Sequence, residues 1–86
     1  MGRPDTNWRT LRSLVRKHGG ALLPALREYT GESTQAMSRR IGVSRTSVDI
    51  MAHRRYGRRE QTTRRLLEVA LDLPAYSLDK LLDKEP

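Results

Sequence analysis

The chain has 86 residues, a formal net charge of +7, 36% hydrophobic residues, and neither cysteine nor phenylalanine. That length holds one small domain with a thin core built from Leu, Val, Ile and Met. Disulfides and thiolate metal sites are excluded, and no apolar run approaches the roughly 20 residues of a membrane span. Charge is unevenly placed. Residues 1–65 carry 15 Lys or Arg against 5 Asp or Glu, and residues 66–86 carry 2 against 5. A basic body with an acidic end points to a polyanion as partner of one surface. The N-terminal residues lack a secretory apolar segment, so a cytoplasmic location is expected.

In chain order, residues 1–6 read as a basic arm and residues 7–86 as a single helical domain. A first helix is predicted over residues 7–18. Trp8, Leu11 and Val15 share one face, Thr6 or Asn7 can cap it, and Gly19 can end it in a left-handed conformation. Arg9, Arg12 and Arg16 form a second face, open to solvent, to phosphate or to a protein partner. A second helix is predicted over residues 22–29, with Pro24 in its first turn, where a missing N–H costs nothing. Leu22, Leu26 and Tyr29 face inward. A third, capped by Ser33, runs to Arg40 or Ile41 and turns Ala36, Met37 and Ile41 inward.

Gly42 interrupts the pattern, and Ser44 can cap a fourth helix over residues 45–56. Val43 and Val48 are spaced as a hydrophobic staple, Val48 and Met51 point inward, and Gly57 stops the helix. A fifth helix over residues 60–71 is expected to bury Leu66, Val69 and Ala70, with Leu73 near its end and Pro74 closing it. Ser77 is expected to cap a short last helix, with Tyr76 and Leu81 as a second staple. Nothing alternates with period two, so the expected fold is all-α: a small bundle of five to six short helices.

The segment RRIGVSRTSVDIMAHRRYGRR, residues 39–59, places apolar residues at helical steps inside an arginine cluster. Two short helices meeting at a turn reconcile the two, with one face buried and the other laid on a polyanion. A DNA-reading helix-turn-helix needs a small residue midway along its first helix, and Ser38 is there. It needs a glycine to pass through left-handed space after an apolar residue, as Ile41 and Gly42 provide. Val43 can plug the core after the turn, and Val48 and Met51 can anchor the second helix.

Residues 34–53 resemble the helix-turn-helix of the Cro/repressor-type (XRE-like) DNA-binding regulators, most specifically in IGVSRTSV. The stretch LLEVALDLPAYSLDKLL is similar to that family's last two helices. Ser38 stands where the family has alanine, the second helix runs further before its glycine, and the helix over residues 7–18 is an addition. The resemblance implies a transcriptional repressor that binds double-stranded DNA as a homodimer on a pseudo-palindromic site. It also implies a bacterial, phage or plasmid origin. Ser44, Arg45, Thr46, Asp49, Ile50 and His53 then face DNA bases, with Gln35 on phosphate.

The chemistry of the residues agrees in part. The fork of Arg45 suits guanine O6 and N7, and Ser44 and Thr46 suit phosphate oxygens or a base edge. Ile50 can meet a thymine methyl. Arg39, Arg54, Arg55, Arg58 and Arg59 would meet phosphates, adding affinity without sequence information. Asp49, an acid on this face, lies one turn from Arg45 and His53. It belongs either to an ion-pair ladder along the helix or to base reading, by orienting Arg45 or accepting from cytosine N4.

Two other functions compete. An architectural nucleic-acid-binding protein would use the same charge without a base code. An adaptor would dock a protein partner through the N-terminal helix or the acidic tail. No cofactor is expected. An enzyme is not expected either: the two histidines, His18 and His53, have no metal-ligand spacing, and no glycine-rich phosphate loop is present.

Overall fold

Six helices carry the fold in chain order: α1 (Pro4–Lys17), α2 (Leu22–Thr30), α3 (Thr34–Ile41), α4 (Arg45–Met51), α5 (Arg58–Ala70) and α6 (Ser77–Asp83). The structure, a computed structural model, describes residues 4–53 and 57–83. No strand occurs among the described residues, in line with the all-α expectation. No helix among them is long and apolar enough to cross a membrane.

α1 begins at Pro4, so residues 4–6 are a first helical turn and not an arm. Proline suits that position because its fixed φ is already helical, and Asp5 complements the positive end of the helix. Leu11 and Val15 are buried, and Trp8 packs half-buried against the core. The helix ends in left-handed glycines: Gly19 and Gly20 have positive φ, and the Gly20 N–H donates to the Val15 carbonyl at 2.8 Å. That turn folds α2 back along α1, burying Leu22, Ala25 and Leu26.

Local signals set the α3–α4 junction as expected. Ser33 and Ser44 cap the two helices, their hydroxyls accepting from the Ala36 and Ser47 amides. Gly42 is left-handed (φ 73°), and the Val43 N–H donates back to the Ser38 carbonyl at 3.0 Å. That bond is the signature of a Schellman turn. Met37, Val48 and Met51 are fully buried, and Ile41 and Val43 pack against them.

The second half departs from the sequence reading in several places. α4 ends at Met51 instead of running to residue 56. Gly57 does not stop α4; it precedes α5 in an extended conformation. α5 is rotated from its expected setting: it buries Thr63, Arg64, Leu67 and Glu68, while Leu66 and Val69 point outward, Val69 at 83% exposure. Ser77 is the first residue of α6 and its buried hydroxyl has no hydrogen-bond partner. Leu73 is buried as expected.

One buried polar network explains these departures. Arg64, with no exposed surface, donates from Nε to the Met51 carbonyl (3.0 Å) and from Nη2 to the His53 carbonyl (2.9 Å). A continuing helix would offer those carbonyls to its own amides four residues on, so the guanidinium ends α4. Its Nη1 donates to Asp79 of α6 at 3.2 Å. Glu68 replaces Ser77 as the cap of α6, accepting from the Tyr76 and Leu78 amides at 3.1 Å each. Arg65 donates to both Glu68 and Asp79, and its guanidinium lies 4.1 Å from the centroid of the Tyr76 ring. Tyr76 is therefore an exposed platform for Arg65 and not half of a staple with Leu81. Burial disfavours the Arg65 charge, but its bonds to Asp79 and Glu68 outweigh this and raise its pKa above the ordinary arginine value.

Candidate nucleic-acid interface

α4 presents two faces. Ser47, Val48 and Met51 are buried, while Arg45, Thr46 and Asp49 are exposed and Ile50 is half-buried. The Schellman turn at Gly42 and the Ser44 cap set where the helix begins; Arg64 sets where it ends. His53 is exposed but lies beyond the helix, so it does not continue the ladder from Asp49. The Asp49 carboxylate makes no ion pair among the described residues, although Arg45 is one turn away. Among the described residues the ladder is thus absent, and the acid lies unpaired on the outward face.

Arg45, Thr46 and Asp49 line a concavity of about 560 Å³ together with Thr34 at the start of α3 and Leu23 and Arg27 of α2. Arg27 is exposed and has no side-chain partner among the described residues. It is the residue that sequence reasoning missed. Its spacing shows only an outward position on α2, and nothing local links α2 to α4.

The remaining candidates separate by how their charge is used. Gln35 and Arg39 are exposed on α3, and Arg58 is exposed at the start of α5. Arg59 is engaged: its Nε donates to Ser47 Oγ at 2.8 Å and its Nη2 to Ser44 Oγ at 3.1 Å. This clasp ties the start of α5 to the start of α4 and occupies the Ser44 hydroxyl, which also accepts from the Ser47 amide. Arg54 and Arg55 lie outside the described residues. Arg40, on the other side of α3, donates to Glu32 at 3.0 Å and to the Ala70 carbonyl at 3.3 Å.

On the α1–α2 side, Glu28 accepts from Lys17 at 3.0 Å and lies 3.4 Å from His18 Nε2. The hydrogen bond from Lys17 is the main cause of a Glu28 pKa below its ordinary value. No group of three or more metal-ligating side chains occurs among the described residues. Comparison with protein-family models, curated proteins and solved structures gives no match to this chain.

Proposed function

We propose that the chain is a sequence-specific, double-stranded DNA-binding transcriptional repressor, with α3 and α4 acting as a helix-turn-helix and α4 entering the major groove. The observation that carries this reading is the division of α4. Its inner residues are locked in the core, while Arg45, Thr46 and Asp49 stand outward without side-chain partners among the described residues. A helix held so firmly, with its polar side chains unspent, suits base reading.

Arg45, in the first turn, reaches the base edges and donates its fork to guanine O6 and N7. Asp49, one turn on, accepts from cytosine N4 or orients Arg45. Thr46 and Arg27 flank them on phosphate or sugar, and Gln35, Arg39 and Arg58 hold the backbone. Arg59 holds α4 in place and contributes less to phosphate than its charge suggests, because two of its donors are occupied. The resemblance to Cro/repressor-type regulators supports a homodimer on a pseudo-palindromic site in a bacterial, phage or plasmid setting. Leu66 and Val69 offer a second copy an apolar surface. That surface is small beside the roughly 1,200 Å² of a stable interface, so pairing is expected on DNA and not in dilute solution.

Selection of bound duplexes from a random pool tests the reading. The wild type is expected to return a two-fold motif. Arg45→Ala is expected to lose one guanine preference at a cost of about 1–3 kcal/mol. Recovery of no motif would favour the architectural alternative.

A further inference from the structure

The arginines of this chain fall into two groups that the sequence does not distinguish. Arg40, Arg59, Arg64 and Arg65 are bound to carboxylates, hydroxyls or carbonyls within the protein. Arg9, Arg12 and Arg16 of α1 have no side-chain partner among the described residues; Arg9 and Arg16 are exposed and Arg12 is half-buried. Their i, i+3 and i+7 spacing puts all three on one flank of α1, away from Leu11 and Val15 in the core. Like charges three and four positions apart on a helix repel. Asp5, one turn before Arg9, forms no ion pair with it. Among the described residues some exposed helical cations are answered, Lys17 by Glu28 and Arg40 by Glu32. Arg9, Arg12 and Arg16 are not, and neither are Arg27 and Arg45 beside α4.

We infer that this flank of α1 is a second nucleic-acid surface, which holds the phosphate backbone of the same duplex whose bases α4 reads. The inference rests on the nucleic-acid reading above, though not on its sequence specificity. Two observations carry it. Seven residues of helix rise about 10.5 Å, and backbone phosphates advance about 3.4 Å per strand along the duplex axis. The three guanidiniums therefore span about three phosphates of one strand. An exposed cation, Arg27, also stands between α4 and the end of α1. Arg27 lines the concavity of Arg45 and Asp49, and it lines a second one bounded by His18 at the end of α1. The acids in that second concavity, Glu28 and Glu32, are already matched by Lys17 and Arg40. Contacts of this kind add affinity and register without a base code.

The test uses the full chain carrying Arg9→Gln, Arg12→Gln and Arg16→Gln together, with a mixed-sequence duplex of about three helical turns as probe. The triple variant is expected to melt at or above the wild-type temperature, since mutual repulsion is relieved. The slope of log affinity against log salt is expected to fall by about two to three, near 0.9 per lost phosphate contact. The motif selected from a random pool should not change. The double variant Arg9→Gln, Arg16→Gln, confined to the two exposed positions, should lose about two and covers the case in which the triple variant folds poorly. An unchanged slope and affinity in a folded variant would overturn the inference. If Arg45→Ala leaves the selected motif unaltered while the α1 variants still lose slope, base reading by α4 fails and the α1 surface stands. Absence of duplex binding by the wild type would remove both.

Discussion

Replacing Arg64 with methionine keeps an unbranched stem about as far as Nε and removes the guanidinium. Among its bonds, those donated to the Met51 and His53 carbonyls and to Asp79 disappear. Hydrogen bonds to charged groups contribute about 1.5–3 kcal/mol each, but two effects reduce that sum. Desolvating a buried guanidinium is itself costly, and that cost is recovered. Asp79 keeps its bond to Arg65 at 2.8 Å and is 19% exposed, so it is not left as a bare buried charge. The loss should therefore lie at the low end of the range for breaking a buried pair, about 3 kcal/mol. A domain of this size has only about 4–13 kcal/mol in total, so the midpoint of thermal unfolding should drop by about 12–24 °C. Urea unfolding at constant slope measures the difference. Arg58→Met is the control: it sits at the exposed start of the same helix and should cost no more than about 0.5 kcal/mol. Arg64→Lys should fall between them, because one ammonium can hold Asp79 but cannot reach both carbonyls. If Arg64→Met proves as stable as Arg58→Met, the network does not fix α4 as described.

Gly42→Ala should cost about 1–2 kcal/mol by denaturant unfolding, from the left-handed backbone alone. A Cβ there would meet nothing within 4 Å. Gly42→Asn should cost less, and equal losses for both would place the cause in packing instead. Asp49→Ala should broaden the set of duplexes recovered by selection while affinity for unrelated duplex stays level or rises. A uniform loss of all DNA binding would contradict the part given to this acid.

Much of the first half of the fold was legible in the chain. Leu11 and Val15 are buried where helical spacing puts them, and Met37, Val48 and Met51 likewise. Ser33, Gly42 and Ser44 act as caps and turn where their chemistry is strongest. The misreadings cluster around α5. A pattern search takes apolar residues as inward, and in LLEVAL it finds Leu66 and Val69. The helix instead turns Arg64 and Glu68 to the interior, because each finds several polar partners there. α4 reads as longer in the sequence than its Met51 end for the same reason, since residues 52–56 contain no intrinsic helix breaker. Within the candidate site, the outward setting of Arg45, Thr46 and Asp49 followed from spacing. The presence of Arg27 beside them, and the engagement of Arg59 by two serines, did not.

By itself the sequence determined an all-helical chain, the turn at Gly42 and the inward and outward faces of the helices on either side of it. These depend on consecutive residues: a φ angle only glycine adopts cheaply, a hydroxyl reaching an amide three positions on, a repeat of 3.6. Tertiary structure alone decided which arginines are spent and which are available. The carbonyls and carboxylate that hold Arg64 come from Met51, His53 and Asp79, on segments its own helix brings together only when the chain is folded. A guanidinium carries the same charge in either role, so only its neighbours in space tell a buried strut from a free hand.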